Sequence, residues 1–221
     1  MSDVIRAFDL VAGIYDDWYK HPQGKQIFDA ELNAVDLHIP KEGIGLDLGA
    51  GTGIFAEHLT GAERTVVCLD PSREMLRKIV DRGMASVLGV GDALPLRVGV
   101  LDFTYMITVL EFLDEPVAVL REVRKTAKEG AGLTILFINS ESAWGDLYRD
   151  IGSKGDPVFK HAKLFTMTEI EALITASGYN VSEWVGTLTT KPMEVEVGGA
   201  ITEPSSQNGV IVLRAYKSCT P

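Results

Sequence analysis

Cysteine is scarce in this 221-residue chain: only Cys68 and Cys219 occur, far apart, with no Cys-x-x-Cys and no cysteine–histidine cluster at metal-ligand spacing. That usage points to two reduced, structural thiols, each in a strand-like segment, and offers no ligand set for a metal. The four histidines, His21, His38, His58 and His161, are equally dispersed. Basic residues are in deficit, 21 Lys plus Arg against 31 Asp plus Glu, a formal charge of −10. Such a net field repels phosphate backbones and argues against a general nucleic-acid binder. No apolar run approaches the ~20 residues of a bilayer span. Met1-Ser2-Asp3-Val4 lacks the basic and apolar regions of an export signal, so the expectation is a cytoplasmic protein with no membrane partner. The composition, 46% hydrophobic and 24% charged, suits one globular domain over residues 1–221.

Short apolar runs alternate with helical stretches, the pattern of crossover connections and a mainly parallel sheet. Strands are expected at Ile44 to Leu48, Thr65 to Leu69, Ser86 to Val90, Leu101 to Thr108 and Gly132 to Ile138. Helices are expected at Ile54 to Leu59, Ser72 to Asp81 before Gly83, and Glu115 to Lys128 before Gly130, the last capped by Asp114. An amphipathic helix over Gly24 to His38 precedes this core, with Phe28, Leu32 and Val35 on one face. Glu141 to Lys163, rich in glycine and aromatic residues, reads as an insertion with little regular structure. Thr166 and Glu169 form a capping box, with a Phe165/Ile170 staple, for a helix from about Met167 to Gly178. Tyr179 to Leu188 and Val210 to Lys217 then form an antiparallel pair. The resulting division is 1–40 as an N-terminal helical cap, 41–140 as a core, 141–165 as the insertion and 166–221 as a helix with a β-hairpin.

The most informative segment is Leu46-Asp47-Leu48-Gly49-Ala50-Gly51-Thr52-Gly53, a strand entering a glycine-rich turn and then a helix. Glycines let backbone approach a ligand, and a helix start presents free N–H groups to it. The same glycines could serve only a tight turn. The Gly-x-Gly-x-Gly spacing, with Asp47 two residues before it, departs from Gly-x-Gly-x-x-Gly and suits an amino group better than a pyrophosphate. Asp70 and Asp92 follow the next two strands. Each alone could be a turn residue, but with Asp47 and the glycines they should line one sheet edge, where open parallel sheets bind ligands.

This constellation resembles the class I S-adenosylmethionine-dependent methyltransferases, and within them methyltransferase type 11, or the ubiquinone/menaquinone C-methyltransferase-like group. The resemblance covers residues 42–140, with a weaker extension through Phe165-Thr166 to Ser177-Gly178-Tyr179. It implies an α/β fold, a Rossmann-like doubly wound seven-stranded sheet, mostly parallel, with an antiparallel C-terminal strand. It also implies S-adenosylmethionine as cofactor and S-adenosylhomocysteine as product. Gly49, Ala50, Gly51 and Gly53 would approach the methionine part, with Asp47 serving its amino group. Asp70 would hold the ribose hydroxyls and Asp92 the adenine amino group, beside Ala93 and Leu94. Pro71 and Met75 would wall the adenine. Leu101 to Pro116 is similar to the family's fourth-strand segment, which places Thr108 and Val109 near the methyl group. Phe112 stands where many relatives carry histidine, and Glu111 matches a frequent glutamate, although a carboxylate near a helix start explains Glu111 equally well. Ile14-Tyr15-Asp16-Asp17-Trp18-Tyr19 resembles the family's Tyr-Asp segment, so Tyr15 is a cofactor neighbour or a packing residue.

Methyl transfer from a sulfonium proceeds by in-line displacement, and positioning can supply most of the catalysis. Tyr15, Glu111 and His161 are the candidates should the acceptor need a base; for His161 a structural role competes. Trp144, Tyr148, Phe159 and His161 could wall an acceptor pocket, and the loop Lys191 to Asn208 is a lid or a plain surface loop. The first expectation is an enzyme acting on a small-molecule acceptor, as monomer or homodimer, without nucleic acid. The alternatives are a regulatory protein that binds S-adenosylmethionine without turnover, and a nicotinamide dinucleotide-dependent oxidoreductase with Asp70 on a ribose.

Overall fold

The computed structural model describes residues 2–192, 194 and 198–217; Cys219 and part of the loop 191–208 lie outside the described residues. Two helices come first, α1 (Ser2–Val11) and α2 (Pro22–Asp36), joined through a 3-10 turn at Tyr15–Lys20. Then follow β1 (Gly43–Leu48), α3 (Ile54–Leu59), β2 (Arg64–Asp70), α4 (Arg73–Asp81), β3 (Ser86–Leu88), β4 (Leu101–Ile107), α5 (Pro116–Thr126) and β5 (Ala127–Ile138). The chain continues through α6 (Ala143–Ser153), α7 (Met167–Ala176), β6 (Tyr179–Thr187) and β7 (Val210–Lys217).

The described strands form one seven-stranded sheet in the order β3-β2-β1-β4-β5-β7-β6. The first five are parallel, and β7 runs antiparallel to both β5 and β6. This is the mostly parallel α/β architecture expected of the sequence. The order reverses between β1 and β4, and the crevice beyond the carboxyl ends of these two strands is where such sheets bind ligands.

Both faces of the sheet are buried, which is why its strands are apolar without clean alternation. Val66 and Cys68 of β2 and Phe103 and Tyr105 of β4 share one layer with Ile27, Phe28 and Val35 of α2 and Ile79 of α4. Leu46 and Leu48 of β1 and Leu133, Ile135 and Phe137 of β5 face the other, with Leu120 and Val123 of α5 and Ile170 and Ile174 of α7. The capping box at Thr166 and Glu169 closes in both directions. Phe165 and Ile170, the expected staple, are both buried in the second layer.

Several local expectations are corrected. Residues 141–163 are not irregular, because α6 occupies Ala143–Ser153 with the Ser142 hydroxyl capping the Gly145 N–H at 3.0 Å. Its glycines allow close packing: a Cβ at Gly145 would lie 2.5 Å from the Asn139 carbonyl oxygen, and one at Gly152 would lie 2.6 Å from that of Phe159. Asp114 does not cap α5; Glu115 holds the N-cap position, ahead of Pro116, without a side-chain cap. That helix ends at Thr126 because Ala127 already pairs with Leu101 across β4 and β5. The third strand stops at Leu88, and Val90 instead bridges Ala93. The amphipathic helix α1 was not legible as an element.

Candidate functional site

β1 ends at Leu48, and the chain reverses through Gly49, Gly51 and Gly53, all at positive φ. A Cβ at Gly49 would press to 2.6 Å from Val109, so the turn can seat against β4's exit only as glycine. At Gly51 (φ +56) a Cβ would meet no protein atom within 4 Å; the space beyond it is cavity. Within the turn, four N–H groups already have partners in the protein. Gly49 and Ala50 N–H both donate to the Leu69 carbonyl (2.8 and 3.1 Å), Gly51 N–H donates to Asp70 Oδ2 (2.8 Å) and Gly53 N–H donates to the Ala50 carbonyl (2.9 Å).

Asp70, at the end of β2, also accepts the Ser72 N–H through Oδ1 at 2.8 Å. Burial, opposed by these two backbone donors, raises its carboxyl to about 6. Asp47 is more deeply placed, on β1 opposite Tyr105, and burial followed by the nearby Asp70 lifts it to about 8.

A cavity of about 480 Å³ opens over this edge, within the range of ligand sites. Of the residues expected at a cofactor, Tyr15, Gly49, Gly51, Asp70, Pro71, Thr108 and Val109 line it. Thr108 holds φ +50, an unfavourable backbone conformation fixed where β4 leaves the sheet. The wall does not include Asp47, Ala50, Gly53, Met75, Asp92, Ala93 or Leu94. Met75 is fully buried in α4, Asp92 and Ala93 are exposed on the turn after Val90, and Leu94 packs against the second core layer.

Glu111 is not on the wall either. It is 1% exposed and accepts the Ile138 N–H through Oε1 at 2.8 Å, leaving Oε2 without a partner. It thereby ties the exits of β4 and β5, and burial raises it to about 7. His161 faces a separate recess with Asp3, Arg6 and Leu10. The other insertion residues, Trp144, Tyr148 and Phe159, do line the cavity, as does Phe112. Tyr148 and Phe159 stack at 4.4 Å, and Phe112 meets Phe8 edge-on at 5.1 Å.

Sequence reasoning missed the contribution of α1, whose Val4, Ile5, Phe8 and Val11 form one side of the cavity. Their helical spacing was the available signal. Asp9 pins α1 by accepting the Ser72 hydroxyl at 2.5 Å. Asp16 pins the following turn, accepting the Thr52 hydroxyl at 2.6 Å and pairing with Arg82 at 2.5 Å. Glu31 on α2 was missed as well; it lines the cavity among Tyr15, Tyr19 and Tyr148. Burial, with Glu111 adding, raises its carboxyl to about 8, and burial followed by Glu31 raises the Tyr15 phenol to about 12. Among the described residues no helix is long and apolar enough to cross a membrane.

A methyltransferase domain family, type 11, matches residues 46–135. An uncharacterised protein of Methanocaldococcus jannaschii is 30% identical over 175 residues, covering 79% of this chain and 82% of that protein. An uncharacterised Mycobacterium tuberculosis protein is 34% identical over 175 residues, 77% of this chain, while the match spans only 59% of its length. Among solved structures, a Thermotoga maritima SAM-dependent methyltransferase, described as a possible histamine N-methyltransferase, superposes with TM-score 0.85. It is 28% identical, with 97% of this chain and 100% of that chain covered. With the sheet order, the glycine turn and these relatives in agreement, the chain belongs to the class I S-adenosylmethionine-dependent methyltransferases.

Proposed function

We propose that this chain transfers a methyl group from S-adenosylmethionine to a small-molecule acceptor. The observation that carries the reading is the glycine turn at the sheet's switch point. Its Gly51 faces open cavity, yet the N–H groups of Gly49, Ala50, Gly51 and Gly53 are satisfied within the protein and Asp70 stands beside them. Such a turn gives close approach at Gly51 with these four N–H groups already engaged and a carboxyl alongside. It therefore suits the cationic, amino-bearing methionine part of the cofactor and disfavours the pyrophosphate of a dinucleotide.

When bound, the cofactor supplies an electrophilic methyl on a sulfonium. In the proposed arrangement Gly49, Ala50, Gly51 and Gly53 hold backbone against its methionine part, with Asp47 behind them as a buried acid. Asp70 accepts from the ribose hydroxyls and Pro71 contributes an apolar wall, with Met75 supporting it from the core. Asp92, Ala93 and Leu94, just past the cavity residues Val90 and Gly91, serve the adenine end. Thr108, Val109 and Tyr15 flank the reacting end and exclude water. Residues 1–40 act as the cap, 41–140 as the cofactor core, 141–165 as the acceptor wall and 166–221 as the closing part of one methyltransferase unit.

Calorimetric titration with S-adenosylhomocysteine tests this reading. Wild type should bind it, and NADH should not bind. Asp70→Asn should weaken S-adenosylhomocysteine by about 1.5–3 kcal/mol, the scale of hydrogen bonds to a charged group. The Asn amide can accept only one of the two backbone N–H bonds and turns its NH2 toward the other donor, so the variant should also lose about 1–3 kcal/mol of stability, and its affinity is read below its melting temperature. NADH binding in place of S-adenosylhomocysteine would refute the assignment. Binding without methyl transfer to any small acceptor would instead favour a sensor of the cofactor.

A further inference from the structure

Glu31 sits on the apolar stripe of α2, one helical turn from both Ile27 and Val35, where packing calls for an aliphatic residue. It is 7% exposed and lines the cavity. Among the described residues no hydrogen bond or ion pair engages its carboxyl. The other carboxyls on the wall are held: Asp70 by the N–H groups of Gly51 and Ser72, Asp156 by those of Val158 and Phe159. The groups facing Glu31 are the Glu111 carboxyl and the phenols of Tyr15, Tyr19 and Tyr148. Among the described residues no lysine, arginine or histidine lines the cavity. A buried carboxyl without an internal partner is costly to ionise, and a ligand bearing a cation and N–H donors removes that cost. On the same cavity Tyr148, which senses the Glu31 charge, stands with Trp144 and Phe159 as aromatic surface, which accommodates a ring and attracts positive charge.

We propose that Glu31 receives the ammonium group of an arylalkylamine, the methyl acceptor, whose ring lies against Trp144, Tyr148 and Phe159. This assignment rests on the methyltransferase reading above. A protonated amine has no lone pair with which to attack, so the Glu31 carboxylate takes one ammonium proton. The freed nitrogen pair forms the new bond to the methyl carbon while the carbon–sulfur bond breaks and sulfur keeps that pair as a neutral thioether. The nitrogen leaves as a secondary ammonium, and Glu31 returns its proton to solvent.

The test uses wild type and Glu31→Gln, each saturated with S-adenosylhomocysteine and titrated with 2-phenylethylamine in two buffers of different ionisation enthalpy. Burial raises the Glu31 carboxyl to about 8, so at pH 7 the amine-free protein carries that proton. Binding of the amine to wild type should release about one proton at pH 7, and the release should fall toward zero by pH 9.5. Glu31→Gln should bind the amine at least about tenfold more weakly, with no release. The neutral isostere 2-phenylethanol should bind wild type more weakly than the amine. Equal amine affinity in both proteins, no amine binding to saturated wild type, or binding without proton release would each overturn the proposal. So would a Glu31→Gln protein that loses S-adenosylmethionine but keeps S-adenosylhomocysteine, since the carboxyl would then serve the sulfonium. Failure of wild type to bind S-adenosylhomocysteine would instead strike the methyltransferase reading itself.

Discussion

Because a Cβ at Gly51 would meet no protein atom, the need for glycine there comes from its φ of +56 and from whatever fills the cavity. Gly51→Val should therefore fold, with a strain of about 1–2 kcal/mol from the left-handed backbone, and lose S-adenosylhomocysteine binding. Thermal unfolding and calorimetry check both halves; wild-type affinity in the folded variant would contradict the site. Gly49 differs, since its side-chain space is already occupied by Val109. Residues of this kind were legible because a backbone conformation demands a residue type. Asp70 was legible for a related reason, as a carboxylate at a strand end beside that turn. Glu31 was not, because a single acid within a helical stripe carries no mark of which way it faces until α2 is docked. Asp47 was legible as an acid, but its place behind the wall follows from strand parity: Leu46 and Leu48 fill one core layer, and Asp47 falls on the opposite face.

Among the elements, α6 is the instructive case. Gly145 and Gly152 looked like helix breakers, yet both sit inside Ala143–Ser153, where they let neighbouring backbone come close. Replacing a mid-helix glycine by alanine ordinarily stabilises by up to about 1 kcal/mol. Gly145→Ala should do the reverse, lowering stability by about 1–3 kcal/mol because its Cβ would collide with the Asn139 carbonyl. Denaturant unfolding decides the sign. Where the signal was purely local, as in the Thr166/Glu169 capping box, the helix was legible to within two residues of its end. Where tertiary pairing ruled, it was not: α5 gives way at Ala127 because β4 supplies a strand partner there, which no local pattern announces.

For the whole molecule, the dominant electrostatic fact is an excess of acid, partly buried. Burial holds Asp70 at about 6, Glu111 at about 7, and Asp47 and Glu31 at about 8. A carboxyl whose pKa rises on folding binds its proton more tightly in the folded chain. Its contribution to stability is full below the ordinary carboxylate pKa and is lost as pH climbs through the folded value. Asp36, Asp102 and Glu169 are shifted downward, remain ionised above pH 5.5 in both states and add no slope there. The ligand-free protein should therefore melt at a higher temperature at pH 5.5 than at pH 8.5, by roughly 5–10 °C or more. A melting temperature that rises over this interval would show that these carboxyls are not held protonated by the fold. One consequence concerns time rather than energy. Because α1 forms a side of the cavity and is fastened by Asp9 to Ser72, a ligand that passes on that side can move only while the fastening is open.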